Sequence, residues 1–173
     1  MIRSAHVDPF ARDNLPPQNE WPEFLFTLPE LQYPDRINCV TEFVDQWVTS
    51  GQGDRIAIIA PDETLTYAQL ASRINRIANV LTRDFGMVPG NRVLLRSANN
   101  PTMIAAYLAV MKAGGVTVAT MPLLRAKELS YTVKKAKIAF ALCDTRLDDE
   151  MEKTRPQAPD LKHVAYWGGG ELE

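Results

Sequence analysis

Residues 86 to 120, GMVPGNRVLLRSANNPTMIAAYLAVMKAGGVTVAT, constrain this chain more than any other stretch. Turn chemistry at Pro89-Gly90-Asn91 leads into Arg92 to Arg96, whose run Val93-Leu94-Leu95 suits a strand buried on both faces. Asn100 then stands where a helix N-cap belongs, and Pro101 takes the first helical position, where its missing N–H costs nothing. Met103, Ile104, Tyr107, Leu108 and Met111 recur at helical spacing as the apolar stripe, and Ala105, Ala106 and Ala109 make the helix thin enough to lie close on a sheet. Gly114-Gly115 stops it. Val116 to Thr120 supplies a second strand, parallel to the first because a full helix lies between them. The stretch is a βαβ unit, which points to an α/β fold with a parallel sheet.

The flanks extend this pattern. Asn38 can cap a helix carrying Val40, Phe43, Val44, Trp47 and Val48 on one face, ending at Ser50-Gly51. Arg55 to Ala60 reads as a strand, Pro61-Asp62-Glu63 as a tight turn, and Thr64 to Thr66 as its antiparallel return, giving a small β-hairpin. Thr66 and Gln69 fit a capping box. They open a long helix whose stripe is Tyr67, Leu70, Ile74, Ile77, Ala78, Leu81 and Phe85, with Gly86 as the stop. Beyond Thr120, helix 126–137, buried strand 138–142, a charged helix from a Thr145 cap to Lys153, a linker at Pro156 and Pro159, and a fourth strand within 161–167 are predicted. Gly168 to Gly170 reads as a flexible turn.

Before Asn38 the chain is different in kind. Residues 1–37 combine six prolines with Phe10, Trp21, Phe24, Phe26 and Tyr33. That many rings would be costly to leave in water, so an extended arm wrapping a larger body is expected, with a floppy leader holding a short helix around Trp21 to Phe26 as the other reading. The chain then divides into an arm, 1–37, and an α/β domain, 38–173, that reads as incomplete.

Composition excludes several function classes. Net charge is −2 with both signs scattered, so no basic stripe marks a nucleic-acid or anionic-membrane partner. No run approaches the ~20 apolar residues of a membrane span, and no signal-peptide core is present, so a cytoplasmic protein is expected. Cys39 and Cys143 lie far apart, and with His6 and His163 they form no metal spacing. No P-loop and no Gly-x-Gly-x-x-Gly follows a strand, and the acids Asp148-Asp149-Glu150 read as a solvated face. Cys143 reads as a small core residue. No catalytic constellation and no metal site emerges from the residues. One segment stands out: Met121-Pro122-Leu123-Leu124-Arg125 places apolar residues at the C-terminal end of a parallel strand, where open α/β sheets bind ligands. Simple packing of that loop over the sheet edge is the competing reading.

Thr64-Leu65-Thr66-Tyr67-Ala68-Gln69-Leu70, Gly90-Asn91-Arg92-Val93-Leu94-Leu95 and Leu108 to Val116 resemble the Thr-Tyr-x-x-Leu helix start, the Gly-Asp-Arg-Val strand and the Leu-Ala-x-x-Lys-Ala-Gly-Ala helix end of the AMP-forming acyl-CoA synthetases. Pro16-Pro17 with Trp21-Pro22, Asn38-Cys39-Val40 and Ala119 to Leu129 are similar to the aryl-CoA ligases among them, especially those for 2-aminobenzoate and benzoate. The resemblance covers roughly residues 14 to 167. It implies the first part of the large N-terminal domain of an adenylate-forming ligase, a Rossmann-like parallel sheet flanked by helices. By the same resemblance, the complete enzyme joins an aromatic carboxylic acid to coenzyme A using ATP and Mg²⁺, through an acyl-adenylate. The family's phosphate loop and catalytic Lys have no counterpart in these residues, so the chain alone is expected to be inactive and to bind none of these cofactors tightly. Met121, Pro122, Leu123 and Arg125 become the candidate lining of the coenzyme A path. The expected partner is the remainder of the same ligase chain, with self-association through an exposed sheet edge. A complete small α/β module that binds a nucleotide or a protein is the alternative.

Overall fold

The computed structural model describes residues 4–168. Gly169 and Gly170, two of the three glycines of the expected flexible turn, lie outside the described residues.

In chain order the elements are helix α1 (Phe10–Asp13), a π-helical turn at Thr41–Asp45 that runs into α2 (Gln46–Thr49), strands β1 (Ile56–Ile59) and β2 (Thr64–Thr66), and α3 (Tyr67–Asn79), extended by a π-helical turn to Asp84. There follow β3 (Arg92–Arg96), α4 (Pro101–Lys112), β4 (Val116–Thr120), α5 (Ala126–Lys135), β5 (Phe140–Asp144), α6 (Asp148–Thr154) and β6 (His163–Trp167). β1 and β2 form the antiparallel hairpin. The other four strands form one parallel sheet in the order β4-β3-β5-β6.

The period of two along β3 sorts the core into two layers. Val93 and Leu95, with Phe140, Leu142 and Trp167, pack on α3 and α4 through Leu70, Ile74, Ile77, Ala105, Ala109 and Val110. We call this the front. Leu94, Ala141 and Cys143 point to the back, where Val133 of α5 and Met151 of α6 cover them with Ile138 and Leu161. Both faces are covered, which is why Val93, Leu94 and Leu95 are all fully buried.

Local signals hold where they concern caps. The Thr66 hydroxyl accepts from the Gln69 amide while the Gln69 side chain accepts from the Thr66 amide. Asn100 accepts from the Met103 amide at 2.8 Å, with Pro101 at the first helical position. Faces and boundaries shift more. In α4 it is the small residues, Ala105, Ala106, Ala109 and Val110 with Thr102, that lie buried, while Ile104 and Tyr107 are exposed. Close approach to the sheet needs the thin side of the helix inward. In the 38–49 segment the π-helical turn adds a residue to one turn and rotates the remainder of the helix, so Phe43 is 65% exposed although Val40 and Val44 are buried. The third strand of the sheet starts at Phe140, two residues later than expected, because Lys137 adopts φ 51° and Ile138 and Ala139 complete the turn out of α5. The charged helix begins at Asp148, after a 3₁₀ turn at Thr145–Leu147 that is capped by Asp144, which accepts from the Arg146 amide.

The start of the arm is bolted to the N-terminal end of the sheet. Val7 and Asp8 amides both donate to the Pro89 carbonyl at 2.9 Å. The Asp8 carboxylate pairs with Arg92 and accepts from Asn91, and the Phe10 ring lies 4.6 Å from the Arg92 guanidinium carbon. Farther along, Trp21, Phe24, Phe26 and Tyr33 pack on one another with centroids 5.7 to 6.4 Å apart and stay exposed. Gly90 matters to the clasp: its φ is +92°, and a Cβ there would run into the Asp8 carbonyl. Gly90→Ala therefore meets both a backbone penalty of about 1–2 kcal/mol and a steric block. The expected result is faster hydrogen exchange at Val7 and Asp8, with β3 and β5 protected as before.

Candidate functional site

The chain leaves β3 through α4 to reach β4 on one side, then crosses back through α5 to β5 on the other side of β3. The adjacent strands β3 and β5 thus continue into helices on opposite faces of the sheet. Ligands of open α/β sheets bind in the crevice outside the C-terminal ends of such a pair. At that edge stand Arg96, which ends β3, with Ser97 and Asn100 after it, Asp144, which ends β5, with Arg146 beyond it, and the Met121–Arg125 loop after β4.

On the front, Asp144 is buried and central. It accepts from the Ser97 hydroxyl at 3.2 Å and, on its two oxygens, from Arg146 Nε at 2.9 Å and Nη2 at 2.6 Å. Asn100 Nδ2 adds a bond to Ser97 at 3.0 Å. The Arg146 hydrogen bonds hold the Asp144 carboxyl below its ordinary range, against a burial that alone would raise it. This network ties the start of α4 to the end of β5 with its polar groups spent on one another. A phosphate cradle requires the reverse, backbone N–H groups left free at a helix start. The first turn of α4 is instead capped by Asn100.

On the back, Arg96 is turned under the Met121–Arg125 loop. Its guanidinium donates to the carbonyls of Met121, Pro122 and Leu124 at 2.9 to 3.2 Å. The loop's main chain therefore faces inward, with the Met121 and Leu123 side chains outward and Pro122 and Leu124 half-buried. Met121 is 63% and Leu123 83% exposed. Arg125 is also exposed, 3.5 Å from Glu150. Its backbone amide donates to Glu128, and Ala126 N–H donates to Glu150, so these two carboxylates satisfy the first amides of α5. Glu150 thus has a structural task that its place in an acidic run did not suggest.

Of the candidate residues, Met121, Leu123 and Arg125 face solvent at the sheet's C-terminal edge and Pro122 contributes its carbonyl to Arg96. The sequence reading gave Arg96, Ser97, Asp144 and Arg146 no role at this edge, and Asn100 only that of a helix cap. An Arg closing an otherwise apolar strand was the available signal for Arg96, and the Asp at the end of β5 for the front network. Cys143 is buried, and burial pushes its thiol up to about 12, so it is not a thiolate at neutral pH. Among the described residues no group of three or more His, Cys, Asp or Glu side chains could hold a metal. The donor set here does not fit ATP or Mg²⁺, and no chemical step can be assigned to it.

The family model for AMP-binding enzymes matches residues 44–170. The chain belongs to the AMP-binding enzyme family. Among its curated relatives in that family, benzoate–CoA ligase of Thauera aromatica is 25% identical over 143 residues, 83% of this chain and 27% of that protein. The 3-hydroxybenzoate–CoA/4-hydroxybenzoate–CoA ligase of the same organism is 30% identical over 105 residues, 61% of this chain and 20% of that protein. The chain spans about a quarter of the length of the relatives it matches. The crystal structure of the anthranilate CoA ligase AuaEII in complex with anthranoyl-AMP shares the fold with a TM-score of 0.75 at 20% identity, covering 84% of this chain and 28% of that one. This AMP-binding enzyme segment has the architecture of the N-terminal domain of adenylate-forming ligases, a parallel sheet flanked by helices.

Proposed function

We propose that these residues are the scaffold-bearing N-terminal segment of an aryl-CoA ligase. The ligase activates an aromatic carboxylic acid, 2-aminobenzoate or benzoate, with ATP and Mg²⁺ to an acyl-adenylate, and passes the acyl group to the thiol of coenzyme A. AMP and pyrophosphate are released. The observation that carries this reading is the coincidence of an AMP-binding enzyme match over 44–170 with a switch-point crevice whose polar groups are internally paired. The names of the relatives, ligases for benzoate and hydroxybenzoates, support the aromatic acid.

In this reading the arm, 1–37, and the α/β body, 38–173, act as one support. The Met121–Arg125 loop is the part nearest to chemistry, lining the coenzyme A path with Met121, Pro122, Leu123 and Arg125. ATP, Mg²⁺ and the acid are held by the remainder of the ligase chain, which docks against the exposed sheet edge and the aromatic ladder of the arm. Without that docking the same surfaces drive self-association. A cytoplasmic setting accords with two free cysteines and with helices none of which, among the described residues, is long and apolar enough to cross a membrane.

The test is direct. The 173 residues, incubated with ATP, Mg²⁺, coenzyme A and benzoate or 2-aminobenzoate, are expected to release no pyrophosphate above background. Turnover would overturn the assignment of chemistry to other parts of a ligase. A monodisperse monomer that instead binds ATP saturably would favour a self-sufficient binding module.

A further inference from the structure

Arg96 is an unusual residue to find at the end of a central strand. It is 1% exposed, and every hydrogen bond its guanidinium makes is to a neutral carbonyl: Pro122 at 3.0 Å and Leu124 at 2.9 Å from Nη2, Met121 at 3.2 Å from Nη1, and Leu147 at 3.4 Å from Nε. Among the described residues no carboxylate lies within ion-pair distance of it. Burial pushes its pKa down, the direction expected of a cation removed from water. A buried charge is costly, and an apolar side chain of similar volume is commonly the more stable choice. What the guanidinium supplies that an apolar group cannot is a planar fork of donors.

The loop needs such a fork. It has left the strand ladder at Thr120 and does not enter α5 until Ala126. Pro122 has no N–H, and the loop's own turn contributes a bond from the Leu124 amide to the Met121 carbonyl at 3.2 Å. With three of its carbonyls drawn toward Arg96, the main chain is held against the back of the sheet and Met121 and Leu123 stand out into solvent.

We propose that Arg96 is a positioning residue, a carbonyl clamp that presents Met121 and Leu123 as an apolar lip beside the switch point. The functional part of this inference rests on the reading that the loop lines the coenzyme A path. Arg96 touches no ligand itself. It acts through the backbone of residues 121–124, and Leu147 couples the same guanidinium to the entry of α6.

The test uses the ¹⁵N-labelled 173-residue chain and its Arg96→Met and Arg96→Lys variants. In Arg96→Met, amide exchange at Leu123, Leu124 and Arg125 should accelerate by on the order of tenfold, while Val93 to Leu95 and Ala141 to Cys143 stay protected. Arg96→Lys, which keeps the charge but loses the fork, should lie between. Millimolar coenzyme A should shift the amides of Met121, Leu123 and Leu124 in the parent chain, less in Arg96→Lys and least in Arg96→Met. Unchanged loop exchange in a folded Arg96→Met protein would overturn the clamp. If that variant does not fold, Arg96→Lys decides by the same comparison of loop with strands. Should the loop open as expected while coenzyme A moves none of its amides in the parent chain, the clamp stands and the coenzyme A assignment fails.

Discussion

Leu94→Ala is expected to destabilise the fold by about 3 kcal/mol, within the ~2–5 kcal/mol span of buried Leu-to-Ala changes. Leu94 sits mid-way along β3, fully buried, in the back layer with Val133, Ile138, Ala141 and Met151. Removing its isobutyl group forfeits the transfer free energy of the lost carbons and leaves a void between sheet and helices. Those walls are regular elements and cannot collapse far. A domain of this size has ~5–15 kcal/mol in total, so the variant should lose a large part of its urea midpoint with little change in the slope. Leu123→Ala is the control: the same deletion at an 83% exposed position should stay within about 0.5 kcal/mol. Comparable losses from the two would contradict the division between core strand and exposed loop.

Asp144→Ala should be the second most damaging change, at about 2 kcal/mol, from the loss of charge-assisted bonds and the stranding of the Ser97 hydroxyl in a buried place. Arg146 is largely exposed and can return to water, so the cost stays below that of breaking a fully buried pair. The carboxylate also leaves a signature in pH. Its folded pKa is depressed below the ordinary 3.8, chiefly by the Arg146 hydrogen bonds. A depressed carboxylate contributes stability that is fully present above the unfolded value. That contribution is lost as pH falls past the unfolded value and through the folded one. Asp8 and Glu63 are depressed as well, so wild-type protein should lose stability through several groups as acid is added below pH ~5. Asp144→Asn should start lower at neutral pH and fall less steeply in acid. Parallel curves for variant and parent, measured by urea denaturation from pH 7 to 3, would mean that Asp144 does not titrate as an ion-paired group.

The caps of α3 and α4 were legible in the sequence because each is closed by partners three residues apart, Thr66 with Gln69 and Asn100 with Met103. The buried strands were legible for a related reason, since an apolar run such as Val93-Leu94-Leu95 bounded by turn residues is written in the chain itself. The buried face of α4 was not. Large apolar residues at helical spacing drew attention to Ile104 and Tyr107, yet how closely a helix approaches a sheet depends on the sheet, and this one selects alanines. Phe43 misled in a related way: a π-helical turn changes which residues share a face, and no residue type announces it.

The candidate edge divides along the same line. That Met121 to Arg125 would lie at the end of a parallel strand comes from the order strand, helix, strand. Which way its main chain turns was decided by Arg96, some 25 residues earlier, and the closure of the front crevice by Asp144 reaching back to Ser97 across 47 positions. The sequence alone determined the βαβ plan, the caps and stops of its helices, and the family resemblance, because these rest on interactions within a few residues. Only the tertiary structure decided that Arg92 and Arg96 are buried clamps rather than polar strand ends, and that the polar groups at the switch point are paired with one another. Those outcomes depend on pairs brought together by parallel strand pairing, whose contacts are set by register in space and not by spacing along the chain.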